Sequence, residues 1–178
     1  MLNKYFSNKE IEYIKNHKDL EFKCLLIVTK LFEGRTDKEG KPYIGHLLRV
    51  ANRFSNTEER CAALLHDTLE DIEGMTPEIL LSLNIPQNII DMVLLVTKTK
   101  GVPYEEEIEK IIASGNDGAL RIKYSDMLDN TNPERLARLD VETQIRLTNK
   151  YESQIKKLKL EIKKRGIILW EILKKKKV

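Results

Sequence analysis

The chain has 178 residues, the size of one ordinary domain with a full apolar core. Hydrophobic residues make up 41% and charged residues 33%, the balance of a soluble globular chain, and a net charge of +3 is too mild to mark a nucleic-acid binder. The most apolar stretches, 24–28 and 89–96, are too short to span a bilayer, and residues 1–6 lack the apolar region of a signal peptide, so no membrane association and a cytoplasmic location are expected.

Helical punctuation recurs along the chain. Ser7 and Glu10 read as a capping box ahead of Ile11 and Ile14. A strongly apolar helix follows at 20–32, then a loop at 33–45 built on Gly34, Asp37, Gly40 and Pro42. Leu47, Val50, Ala51 and Phe54 recur at helical spacing, and Thr57 is expected to cap a helix running through Cys61, Leu65 and Leu69. Thr76-Pro77-Glu78 and Pro86 open two further helices. After a loop at 98–103, helices are expected at 104–113 and 119–130, with a break at 114–118 and a short helix from Asn132-Pro133-Glu134. A long helix runs from Val141 towards Leu173, kinked or divided near Gly166. No stretch alternates as a strand, which predicts an all-α bundle of about eight to ten helices in a single domain, 1–178, with a core at about 20–140.

Cys24 and Cys61 fall in apolar helical patterns and read as buried thiols. The basic run of Lys156, Lys157, Lys159, Lys163, Lys164, Arg165 and 174–177 reads as a solvated helix face or frayed tail, with polyanion binding the alternative.

Three histidines are present, and His17, among charged neighbours at a helix end, reads as structural. His66-Asp67 closes an apolar helix and is followed by Glu70 and Asp71, so helical spacing brings three carboxylates and an imidazole to one end of a buried element. Like charges crowded there are costly, and a divalent cation removes the cost. The alternative is a solvated acidic turn, although acids at a helix C-terminus oppose the macrodipole. His46 by itself reads as a capping or surface histidine, and Asp126 as half of a Lys123–Asp126 surface pair with Asn130 one turn on.

Four stretches change that weighting. RTDKEGKPYIGH at 35–46, LRVA at 48–51, ALLHDTLED at 63–71 and IKYSDMLDN at 122–130 together resemble the H…HD…D signature of the HD superfamily of metal-dependent phosphohydrolases. Within it they look most like the (p)ppGpp hydrolase domain of RelA/SpoT homologues and the small alarmone hydrolases. The resemblance implies a compact HD-type helical bundle in which His46, His66, Asp67 and Asp126 hold one divalent metal, of the Mn²⁺ kind. It implies that Glu70 and Asp71 position and activate the attacking water, and that Arg35, Lys123 and Asn130 face a small nucleotide substrate. The implied reaction is removal of the 3′-diphosphate of guanosine 3′,5′-bis(diphosphate). This sequence departs from the family at Leu47 (usually proline), Ile72 (often threonine), Thr36 (often cationic) and the segment Met127-Leu128-Asp129 before Asn130 (often with basic or aromatic residues), which thins the cations facing the substrate. An HD-type 5′-nucleotidase or other phosphomonoesterase is therefore the alternative, and a non-catalytic nucleotide-sensing module the other. Too few histidines remain for a second metal site. The stretches 98–105 and 132–139 resemble other bacterial HD proteins of this group. Oligomeric state is not readable.

Overall fold

A computed structural model of the chain describes residues 2–167. After a 3-10 turn at Leu2–Lys4 come α1 (Asn8–Asn16), α2 (Leu20–Leu31), α3 (Ile44–Ala51), α4 (Thr57–Leu65), α5 (Thr68–Asp71), α6 (Pro77–Ser82), α7 (Gln87–Val96), α8 (Tyr104–Ala113), α9 (Asp117–Asn130), α10 (Pro133–Leu136) and α11 (Val141–Lys164). Two of these, α5 and α10, are four-residue turns, and the rest run from six to 24 residues. No strand is found among the described residues beyond an isolated bridge between Thr36 and Pro42. The all-α bundle expected from the sequence is the fold observed.

Local chemistry sets the helix ends. Ser7 accepts the Glu10 amide while the Glu10 carboxylate accepts the Ser7 amide, completing the expected capping box. Thr76 caps α6 with Pro77 in its first turn. Several boundaries differ from the sequence reading: α3 starts at Ile44, inside the expected loop, α9 starts at Asp117, inside the expected break, and α4 differs at both ends. Asn56, rather than Thr57, caps α4, its side chain accepting from Glu59. The helix expected to continue through Leu69 stops at Leu65, and α5 starts afresh at Thr68. The Thr68 hydroxyl bonds back to the Leu65 carbonyl, securing the chain where the helix breaks. Helix α11 ends at Lys164 with Gly166 left-handed (φ +67°), a glycine stop. The expected extension to Leu173 and the 174–177 lysines lie outside the described residues.

Helix α4 sits at the centre, packed on α2, α3 and α7, and its Cys61, Ala62, Ala63, Leu64 and Leu65 are all buried. The small side chains at 61–63 let its neighbours close in, and Cys24 and Cys61 are both buried free thiols, as expected. Helix α9 lies against α3, α7 and α11 and is buried on nearly every side. Its buried set includes Lys123, Ser125, Asp126 and Asp129 alongside Leu120 and Ile122. Polar groups in such a position are tolerated only when partnered, so α9 carries a site as well as a core.

Candidate metal centre

The break after Leu65 places His66 and Asp67 in a turn between α4 and α5, so both side chains aim at one point instead of fanning round a helix. Helix α3 brings His46 to the same point, and α9 brings Asp126. His46 Nε2 is 3.4 Å from Asp126 Oδ1 and 3.6 Å from Asp67 Oδ2; His66 Nε2 is 3.1 Å from Asp67 Oδ2 and 3.8 Å from Asp126 Oδ1. His46, His66 and Asp126 are buried and present ligand atoms within 4.8 Å of one another, as in a site that could hold a metal ion.

Both imidazoles are fixed from behind. His66 Nδ1 donates to the Ala63 carbonyl at 2.7 Å, which leaves Nε2 facing the cluster, buried and without a hydrogen-bond partner. His46 Nδ1 donates to Asp129 Oδ2 at 2.7 Å, so its Nε2 also faces inward. A carboxylate or carbonyl behind each ring is the arrangement that orients a metal-binding histidine and raises its basicity. A buried ring nitrogen with no partner, among two carboxylates and a second imidazole, is a donor set suited to a divalent cation.

The electrostatics agree. Burial opposes charge on His66, yet Asp67 and Asp126 outweigh it and pull the imidazole up to about 9. His46 is raised well above its ordinary value in spite of burial, by Asp126, Asp129 and Asp67. Burial alone would raise the two carboxylates; instead the imidazoles hold Asp67 low, and Lys123 with both imidazoles holds Asp126 low. Charge in this pocket is attracted strongly enough that a metal would have only protons to displace.

Above the cluster lies a cleft of about 330 Å³. Glu70 and Asp71 line it from α5, Lys123 and Asn130 from α9. The Glu70 carboxylate accepts the Lys98 amide at 3.2 Å. Burial and the neighbouring Asp67 charge push Asp71 up. Lys123 is buried, its ammonium 3.4 Å from Asp126 Oδ2 and over the Tyr104 ring at 5.8 Å. Asn130 donates to Asp126 Oδ1 at 2.5 Å, which steadies the carboxylate as much as it offers a contact to a ligand. Arg35 is placed differently. It is exposed, its guanidinium lies 5.9 Å from the Phe32 ring, and it is not among the residues lining the cleft, although its charge is felt at Asp71.

Sequence reasoning gave no role to several residues found here. Tyr43 donates to Asp67 Oδ2 at 2.7 Å, and its place three residues before His46 was the available signal. Asp129 stands behind His46; its spacing of three from Asp126 on a buried helix pointed inward, but it was read only as a departure from a family pattern. Lys38, Lys98, Tyr104, Lys150 and Tyr151 complete the cleft walls from the 33–43 loop, the α7–α8 connection, α8 and α11. The last two come from a helix with no site-like signature.

No family model matches the chain. It is 36% identical over 103 residues to the guanosine-3′,5′-bis(diphosphate) 3′-pyrophosphohydrolase of Aquifex aeolicus (strain VF5), a match covering 52% of this chain and 14% of that much longer protein. Its fold matches a solved structure of a metazoan ortholog of SpoT, a protein that hydrolyzes ppGpp and plays a role in starvation responses, with a TM-score of 0.62 at 22% identity, over 85% of this chain and 98% of that one. The sequence match is to a part of a ppGpp pyrophosphohydrolase, and the structural match is one of architecture. The chain spans about a seventh of the curated relative's length, and the structural likeness establishes the all-α architecture.

Proposed function

We propose that the protein is a metal-dependent phosphohydrolase acting on a nucleotide, with a guanosine 3′,5′-bis(diphosphate) 3′-pyrophosphohydrolase-like activity. The observation that carries this reading is the buried, unpartnered Nε2 of His66 among His46, Asp67 and Asp126, at the floor of a cleft lined by lysines. His46, His66, Asp67 and Asp126 would hold one divalent ion, Mn²⁺ by analogy with the resembled family. When bound, such an ion lowers the pKa of water and neutralises phosphate charge.

The chain's own residues supply the rest. Glu70 and Asp71, which line the cleft wall, would orient a water and take its proton. Asp71, pushed up by burial and the Asp67 charge, is suited to return the proton to a leaving oxygen. Lys123 at the cluster, with Lys98 and Lys150 at the rim, offset the charge of a phosphate or diphosphate. Asn130 holds Asp126 in place and offers a hydrogen-bonding edge to the substrate. Arg35 would contribute from outside the cleft, through long-range attraction of the nucleotide.

No helix among the described residues is long and apolar enough to cross a membrane, and the proposed partner is a small nucleotide. The test is a release assay on ppGpp, pppGpp and nucleoside mono-, di- and triphosphates, with Mn²⁺ and with chelator. Metal-dependent release of pyrophosphate from ppGpp is expected. Release of orthophosphate from nucleoside monophosphates alone would make it a nucleotidase, and binding without turnover would make it a sensing module.

A further inference from the structure

The loop between α2 and α3 does more than connect them. Asp37 and Lys41 close it as a tight hairpin: the Asp37 amide donates to the Lys41 carbonyl at 2.7 Å, and Asp37 Oδ1 accepts the amides of Glu39 and Lys41 at 2.9 and 3.1 Å. Gly40 takes the left-handed turn position (φ +74°). Thr36, Asp37 and Lys38 on this hairpin line the cleft.

Arg135 is the main tie between the hairpin and the metal cluster, with Arg49 Nη2, 3.7 Å from Asp37 Oδ2, a longer second one. Arg135, on α10, donates through Nη2 to Asp37 Oδ2 at 3.0 Å and through Nε to Glu39 Oε1 at 2.6 Å. Its Nη1 donates to the Asp129 carbonyl at 3.0 Å and pairs with the Asp129 carboxylate. The Asp37, Glu39 and Asp129 side chains are only 4%, 3% and 2% exposed, so these are enclosed ion pairs rather than surface ones. Asp129 Oδ2 in turn accepts from His46 Nδ1. Arg49, on the same helix as His46, clasps Asp129 with Nε and Nη2 at 2.8 and 3.1 Å. The planar guanidinium of Arg135 suits this, because its three separate nitrogens reach Asp37, Glu39 and Asp129, whereas a lysine offers all its N–H donors from a single nitrogen.

We propose that Arg135 is a positioning residue that fixes His46 through Asp129 and locks the cleft hairpin at 36–41 to the metal centre, so that the two move as one unit. This rests on the metal-centre reading above. A displaced Asp129 lets the His46 ring turn and its basicity fall, and outer-shell partners of this sort are commonly worth 10–100-fold in metal affinity.

The experiment uses the full chain with Mn²⁺ alone as probe, measured by calorimetry for wild type, Arg135→Met, Arg135→Lys, Asp129→Asn and the Arg135→Met/Asp129→Asn double variant. Arg135→Met is expected to weaken Mn²⁺ binding about tenfold, with Arg135→Lys between it and wild type. In the Asp129→Asn background the Arg135→Met effect should disappear, because the pathway is already cut. Hydrogen exchange adds a readout that a purely structural role would not move: Mn²⁺ should slow amide exchange across 36–41 in wild type and leave it unchanged in Arg135→Met. Unchanged Mn²⁺ affinity in both Arg135 variants, an additive double variant, or equal protection of the hairpin without Arg135 would overturn the proposal while leaving the metal centre intact. Wild type that takes up no Mn²⁺ would overturn both. Should Arg135→Met fail to fold, Arg135→Lys, which keeps the charge and loses the fork, carries the same comparison.

Discussion

The Tyr43 hydroxyl donates to Oδ2 of Asp67 at 2.7 Å, and the Tyr43 ring stacks on Phe32 with centroids 4.9 Å apart and planes 7° from parallel. The stacked ring holds the hydroxyl, and the hydroxyl holds the carboxylate. Tyr43→Phe keeps the stacking and deletes only the second link. It should weaken Mn²⁺ binding about tenfold while moving the melting temperature little; calorimetry and a thermal melt check the two halves separately.

Metal affinity should rise with pH. In the metal-free protein His66 keeps its proton up to about 9, and His46 is also raised. The metal-bound state requires both rings unprotonated, so it binds fewer protons than the free state, and lowering the pH favours the free state. Well below pH 9 the apparent affinity should fall about tenfold per pH unit through His66, one proton's worth, and more steeply where His46 also holds its proton. Competition titrations with Mn²⁺ at fixed pH values test this; a flat profile would show that the two histidines do not bind the ion.

Glu70→Gln and Asp71→Asn should separate chemistry from metal binding. Both residues line the cleft, and neither belongs to the clustered donor set. Each substitution should cost about 100-fold or more in kcat on the best substrate while the purified protein keeps its full metal content. Elemental analysis alongside initial rates gives both numbers; metal loss in either variant would move that residue into the coordinating set.

Stripping the metal should soften the fold without unfolding it, because the cluster satisfies its charges with protons when no cation is present. Free metal at about 100 times Kd adds roughly 2.7 kcal/mol. At about 2–4 °C per kcal/mol for a chain of this size, chelation should lower the melting temperature by about 5–10 °C. Calorimetric scans with and without chelator test this.

The fold was legible in the sequence to the extent that helix signals are local. The Ser7–Glu10 box and the Thr76-Pro77 start are short-range patterns, and the structure repeats them. The break after Leu65 was not visible, because 61–69 is uninterrupted helical periodicity and the interruption is stabilised by Thr68 bonding back to Leu65. At the site, the clustering of His66, Asp67, Glu70 and Asp71 could be argued from spacing, whereas bringing His46 and Asp126 to them needs the packing of α3 and α9 on the rest, which no local pattern encodes. Asp129 and Arg135 were harder still. Their value lies in partners about 80 and 96–98 positions away along the chain, His46 and the 37–39 hairpin.

The centre and the cleft draw on different stretches of chain. The four positions that would hold an ion, 46, 66, 67 and 126, sit on the inner elements, while much of the rim comes from 36–38, 98–104 and 150–151. Lys150 at that rim lies over the rings of both Tyr104 and Tyr151, at 4.9 and 4.7 Å, and makes no ion pair among the described residues. Exchanging rim side chains on α8 and α11 would therefore change which molecule the cleft admits while leaving the inner His/Asp cluster untouched.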